Sequence, residues 1–342
     1  MMFADRLPIT RRAFAVAICL CLFLQAAEAR PVIAAHFVLG PSSPDAVAVR
    51  FEDAMRILVL ADELGFNTIV LQIANGVKLD SAPGLARPGA WGREQLKEFA
   101  DEARLRGLDL VPEFKFLTHQ EKFLQTAHPE LLYNAVTYDP RKEAVYEIVF
   151  AMLDEVIDLI NPKAVSIGHD EVVGWNPHHA RKHLGPDEAM LPADLFLYDV
   201  KVLHEFLGKR NIETWMWGDM LLSPEEFPGF ASTYFHGNRN GYGKALRQEI
   251  PRDIVICDWQ YTNNQAEFPS MKVFQDDGFR VIGSVWEDAK TARNFSQYAA
   301  DSSALGMMAT TWFHVPQRRW DRVEQILESS AEAFRTLDQH DD

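Results

Sequence analysis

The sequence predicts a single α/β domain of the (β/α)8, or TIM, barrel class, and three observations carry that prediction. Short apolar, β-branched runs alternate with longer segments whose apolar residues recur at helical spacing, which implies a parallel sheet. Eight such strands can be read after residue 30, and eight units fit one closed barrel. No glycine-rich phosphate loop follows the first strand, which disfavours an open, doubly wound sheet. No internal linker or low-complexity stretch divides the 342 residues.

In order, residues 31–37 read as the first strand, and 45–64 as a helix closed by Gly65. A β-branched run over 67–73 is the second strand. A glycine- and proline-rich loop leads from it to a charged helix over 93–106. Residues 108–112 form the third strand, with Glu113 at its end, and 142–160 a long amphipathic helix before the fourth strand at 164–168. The second half repeats the rhythm: helix 193–209, strand 213–217, an irregular section over 223–247, strand 254–259 and helix 267–275. Strand 280–286, helix 291–304, strand 307–312 and helix 320–337 complete it.

Residues 1–29 stand apart. Arg11 and Arg12 precede an apolar run over 13–27, and Ala27-Glu28-Ala29 offers small residues for cleavage, the layout of a secretory signal peptide. The run is short for a membrane span, although an uncleaved anchor is the alternative. Thr10 to Phe14 also resembles a twin-arginine export signal. The expectation is an exported protein, periplasmic or extracellular after cleavage, with one catalytic domain over 31–338 and no stable membrane insertion. Cys19 and Cys21 would leave with the leader, so Cys257 alone remains, read as a small buried hydrophobe.

The chain is 47% hydrophobic and 24% charged, ample for a sizeable core. Its formal charge of −15 argues against nucleic acid or an anionic membrane as partner and leaves room for a neutral or cationic small substrate. Oligomeric state is not encoded legibly.

One stretch organises the rest: Val165-Ser166-Ile167-Gly168-His169-Asp170-Glu171-Val172, an apolar strand running into two adjacent carboxylates. Neighbours on a regular strand face opposite ways, so both acids serve one site only if the chain turns near Gly168. In a barrel the carboxyl ends of the strands converge on one mouth. His36, Asn75, Glu113, Asp170, Glu171, Asp219, Asp258, Glu287, Asp288 and His314 fall there, with Trp217, Trp259, Trp286 and Trp312. Indole faces pack on the C–H faces of sugar rings and carboxylates accept hydrogen bonds from hydroxyls, so this composition suits a carbohydrate.

Ile167-Gly168-His169-Asp170-Glu171 resembles the Gly-Gly-Asp-Glu signature of glycoside hydrolase family 20, the β-N-acetylhexosaminidases. Val111-Pro112-Glu113 with His119 is similar to the family's third-strand segment, and Trp215 to Leu221 to its fifth-strand Trp-x-Asp-Met-Leu segment. Trp259 and Trp312 fall where the family supplies tryptophans. The resemblance implies substrate-assisted, retaining hydrolysis without cofactor or metal, in which the 2-acetamido oxygen of a β-linked N-acetylhexosamine attacks the anomeric carbon. It makes Glu171 the general acid and then base, with Asp170 holding the acetamido N–H. It also makes Glu113, His119, Trp217, Asp219, Trp259, Tyr261, Trp286, Asp288 and Trp312 the substrate-binding set.

There are departures. Ser166 and His169 replace a family histidine and glycine, and Asn75 falls near a family aspartate. Trp286 stands for a tyrosine whose part Tyr261 could take, His314 lies near a family glutamate, and the first strand ends without the family's arginine. Two other readings of the mouth stand beside this one: a metal-dependent sugar-processing barrel, and a silent carbohydrate-binding barrel.

Overall fold

The computed structural model describes residues 30–40, 47–73, 75–120, 123–172, 189–230, 235–237 and 241–337. The chain divides into two units, Met1–Pro31 and Val32–Asp342. The expected leader and its cleavage site, residues 1–29, fall outside the described residues. Among the described residues no helix is long and apolar enough to cross a membrane.

Eight parallel strands close in sequence order into a barrel: β1 Val32–Val38, β2 Thr68–Gln72, β3 Asp109–Phe116, β4 Ala164–Gly168, β5 Glu213–Trp217, β6 Val255–Trp259, β7 Arg280–Val285 and β8 Gly306–Thr310. β8 pairs back onto β1 through Val32↔Gly306 to His36↔Thr310, so no strand edge is left open. Around them lie α1 Phe51–Leu64, α2 Arg93–Leu105, α3 Glu143–Ile160, α4 Ala193–Gly208, α5 Lys244–Glu249, α6 Pro269–Asp276, α7 Ala289–Asp301 and α8 Trp320–Phe334.

The helices form and stop for local reasons. α1 ends where Gly65 adopts φ 87° and returns its N–H to the Ala61 and Asp62 carbonyls. In α3, Val145, Val149, Met152, Leu153, Val156 and Ile160 are buried on one stripe, and Asn161 at φ 52° ends it. The strands are buried on both faces, as a parallel sheet sheathed by helices requires.

Three differences from the sequence reading stand out. β3 does not stop at Pro112 but runs through it to Phe116. A strand bonds a given parallel neighbour through alternate residues, so one missing N–H removes a single donor. The first helix begins at Phe51, and residues 41–46 lie outside the described set. The section read as irregular holds α5, whose six residues are too few for a periodic signal.

One irregularity matters for function. β3 and β4 pair at Glu113↔Ser166 and again at Phe116↔Gly168, three residues against two. The bulge turns the end of both strands at the mouth. Gly168, at φ 79°, lies so close to β3 that a Cβ there would stand 2.6 Å from the Phe114 carbonyl oxygen.

Candidate active site

The chain leaves β4 through left-handed backbone: Gly168 at φ 79°, His169 at 68° and Glu171 at 53°. This turn lets two successive carboxylates serve one mouth. Its far side is pinned by the Glu171 backbone N–H, which donates to Asp219 Oδ2 at 2.9 Å.

Asp170 is buried and held by Lys115 and His119. Lys115 Nζ donates to its Oδ1 and Oδ2 at 3.1 and 2.9 Å, and His119 Nε2 lies 3.2 Å from Oδ2. Burial would raise the Asp170 carboxyl, but Lys115 and His119 outweigh it and hold the group well below the usual carboxylate range. Glu171 is more open, its side chain 24% exposed, with Oε2 3.7 Å from the same His119 Nε2. His119 therefore stands between the two acids, on backbone at φ 54°.

Lys115 also lies 3.5 Å from Glu113, which is fully buried and accepts from Gln72 Nε2 at 2.7 Å. His36, equally buried, is 3.6 Å from the other Glu113 oxygen. Desolvation opposes the charge on Glu113, yet Lys115 and His36 leave its carboxyl lowered. The Lys115 ammonium is raised in turn, despite burial, by Asp170 and Glu113.

Across the mouth the wall is aromatic. The Trp217 and Trp312 rings are 5.8 Å apart, and the Lys115 ammonium sits 5.9 and 5.3 Å from their centroids. Trp312 Nε1 donates to Tyr261 Oη at 3.0 Å, while Tyr261 packs on Trp259 at 5.1 Å and on Trp286 at 5.7 Å. Asp219 anchors this wall to the acid pair. Its Oδ2 accepts from His236 Nδ1 at 2.7 Å, and its Oδ1 lies 3.5 Å from Trp259 Nε1.

Most of the residues expected at the site are thus brought together: Asp170, Glu171, Glu113, His119, Trp217, Asp219, Trp259, Tyr261, Trp286 and Trp312. Two carboxylates are placed elsewhere. Asp288 caps α7, its Oδ1 accepting from the Lys290 and Thr291 N–H groups at 2.9 and 2.8 Å, so it does not join the expected sugar-binding set. Asp258 accepts from Ser270 on α6 at 2.7 Å, facing away from the barrel interior. Burial, against Ser270 and Gln260, pushes its carboxyl up to about 7.

Two residues, Lys115 and Arg87, escaped the sequence reading. Lys115 was within reach, because it lies two positions beyond Glu113 on one strand and so shares its face. Arg87, from the loop after β2, donates to Asn75 Oδ1 at 2.7 Å, against Gly40 just past β1; no spacing announces it. Glu287, already placed at the mouth by the sequence, follows β7 and meets His314 Nε2 at 2.6 Å, a pairing the sequence did not announce.

His119, Asp170 and Glu171 also present ligand atoms within 4.8 Å of one another, a set able to meet a metal ion. The Lys115 ammonium already supplies positive charge to Asp170 there, which disfavours a second cation.

Comparison with known proteins gives a consistent picture. Residues 74–325 match the family model described as "Glycosyl hydrolase family 20, catalytic domain", well over half of the chain. No match was found among curated protein sequences. Among solved structures, a β-N-acetylhexosaminidase from Bacteroides fragilis is similar at TM-score 0.65 and 16% identity, over 89% of this chain and 66% of that one. A GH20 exo-β-N-acetylglucosaminidase from Vibrio harveyi, in complex with N-acetylglucosamine, is similar at 0.62 and 14%, over 92% of this chain and 57% of that one. Dispersin B gives 0.57 and 14%, over 88% and 99%. At such identities the likeness shows a shared fold. The chain spans two thirds or less of the length of the first two.

Proposed function

The chain belongs to glycosyl hydrolase family 20, and from that premise we propose that it hydrolyses β-linked N-acetylhexosaminides with retention, the substrate's own acetamido group acting as nucleophile. One observation carries the reading: two successive carboxylates at the end of β4 sit in opposite environments. Asp170 is buried against Lys115 and His119, whereas Glu171 opens to the mouth.

Those environments suit different tasks. A carboxylate has about four acceptor sites, so Asp170 can hold Lys115 and His119 and still accept the acetamido N–H. Its negative charge opposes the positive charge that grows on the acetamido group as the carbonyl oxygen bonds to the anomeric carbon. Glu171 donates its proton to the glycosidic oxygen as that bond breaks. The resulting carboxylate then takes a proton from water, whose oxygen attacks the anomeric carbon and reopens the ring formed with the acetamido oxygen. The aromatic wall of Trp259, Trp286 and Trp312, backed by the buried Trp217, packs the sugar, and Arg87 with Asn75 offers donors at the opposite rim. We further propose export through the leader in residues 1–29.

The test is a panel of chromogenic glycosides with and without a 2-acetamido group. Turnover of β-N-acetylglucosaminide or β-N-acetylgalactosaminide is the expected result. Turnover confined to sugars without that group would overturn the substrate-assisted mechanism, and binding without turnover would favour a silent lectin-like barrel.

A further inference from the structure

Behind the acid pair, away from the mouth, lies a second polar cluster that the proposed reaction does not touch. Asp199 on α4 is fully buried. Its Oδ2 accepts from Tyr138 Oη at 2.8 Å and meets His169 Nε2 at 2.9 Å, and its Oδ1 accepts from Tyr146 Oη at 2.6 Å. Burial, reinforced by Asp199, raises both phenols, so the tyrosines act here as donors only.

The other ring nitrogen of His169 lies 3.1 Å from the Ile167 carbonyl oxygen, and the ring edge packs on Phe196. Both imidazole nitrogens thus face oxygen atoms, which fixes the orientation of the ring. The cluster ties together α4, α3 through Tyr146, the segment before α3 through Tyr138, and the turn after β4. His169 is the residue between Gly168 and Asp170, and it sits at φ 68°, where a non-glycine side chain is disfavoured. Such backbone persists only when its surroundings over-determine it.

We infer that Asp199, acting through His169, is a positioning residue for the acid pair, fixing the left-handed turn that aims Asp170 at Lys115 and Glu171 at the mouth. The inference rests on the reading of those acids given above. Asp199 and His169 meet neither sugar nor reacting atoms. Their effect falls on geometry, and a misplacement of an ångström can cost about a hundredfold in rate.

Three single variants and one double test this: His169→Gly, Asp199→Asn, Tyr146→Phe, and His169→Gly with Asp199→Asn. Glycine accepts the backbone at this position, so His169→Gly removes the pin without straining the chain. Each variant is assayed for kcat and KM on an activated aryl N-acetylhexosaminide, with thermal melts and a crystal structure of Asp199→Asn. The expected result is a kcat loss of roughly tenfold to a hundredfold in the first two, with KM nearly unchanged. The double variant should be no worse than the poorer single, because one contact is broken once. Tyr146→Phe, which keeps the His169–Asp199 contact, should lose less and serves if the others fail to fold.

Variants that melt lower but keep wild-type kcat would make the cluster structural only and overturn the inference, as would independent, multiplying losses. A wild-type protein inactive on every glycoside would sink the functional reading instead. The positional claim is then decided by the crystal structure, in which the Glu171 N–H must leave Asp219 if Asp199 sets the turn.

Discussion

The two sides of the barrel mouth are made of different materials. Toward β3 and β4, Glu113, Lys115, His119, Asp170 and Glu171 form a chain of charges within hydrogen-bonding distance or just beyond it. Toward β6, β7 and β8, Trp259, Tyr261, Trp286 and Trp312 form a wall of rings, in which Trp312 bonds to Tyr261, Trp259 reaches Asp219 and Trp286 packs on Tyr261. Charge in a dry site is strong and directional, which suits proton transfer. Ring faces are broad and tolerant, which suits holding a sugar. The comparison teaches a division of labour: damage on the first side should appear in the chemical step, damage on the second in binding.

The sharpest break lies at Glu171. Glu171→Gln keeps shape but removes the transferable proton, so substrates with poor leaving groups should slow by ~10²–10⁴. An aryl glycoside with an acidic phenol should suffer far less. Asp170→Asn should slow both alike, and azide should not rescue it, since the nucleophile belongs to the substrate. Equal losses for both leaving groups in Glu171→Gln would remove Glu171 from the acid's role.

Lys115 comes next. Removing its ammonium lets burial raise the Asp170 carboxyl, so Asp170 should begin to protonate at mildly acidic pH and lose its hold on the acetamido N–H. Lys115→Met alone also strands Glu113, and breaking a buried pair can cost about 3–5 kcal/mol. The double variant Lys115→Met with Glu113→Gln balances the charge. It should fold and show kcat/KM lowered by about tenfold or more, with its acid limb displaced to higher pH. An unmoved acid limb would mean that Lys115 does not govern Asp170.

On the aromatic side the effects should be smaller and split by burial. Trp217 is 1% exposed and packs between His36 and Trp312, so Trp217→Ala should mainly lower stability, by ~3–5 kcal/mol. Trp312 is only partly buried, and Trp312→Ala should chiefly raise KM, by about tenfold if one good stacking contact is lost. A melt beside a kinetic assay separates the two. If both residues behave as core, the aromatic side is scaffold and the comparison fails there.

Least of all should Asp258→Asn change the rate, because that carboxyl faces α6. Its effect belongs to stability. A carboxyl at about 7 in the folded chain and ~3.9 unfolded binds its proton more tightly when folded. Stability from this group is therefore full below about pH 4 and declines as pH rises toward 7. Asp258→Asn should remove that decline, a gain on the order of a few kcal/mol above pH 7. Asp170 runs the other way: its lowered carboxyl stabilises above pH 4, and that contribution is lost on acidification. Urea melts across pH 5 to 8 read the Asp258 effect directly.

Much of this was legible before any coordinates. The strand and helix periods gave the barrel, because each strand is buried on both faces and each helix on one. The mouth followed from a topological rule, which is why Asp170, Glu171, Asp219 and the tryptophans could be named. The same rule does not say which way a side chain points, so Asp258 and Asp288 were gathered in with residues they do not join. Contacts across long separations stayed hidden. The 30 residues between His169 and Asp199 and the 55 between Lys115 and Asp170 hold no repeating signal that would pair them.

Cys257 offers a use that does not depend on sugars at all. It is the sole cysteine among the described residues, 2% exposed on β6, paired with Trp217 on one side and Ile282 on the other. Burial pushes its thiol well up, so in the closed barrel it should resist alkylation. With Cys19 and Cys21 replaced by serine, the rate at which a thiol reagent labels the protein becomes a clock for sheet opening, reporting how often β5, β6 and β7 part under native conditions.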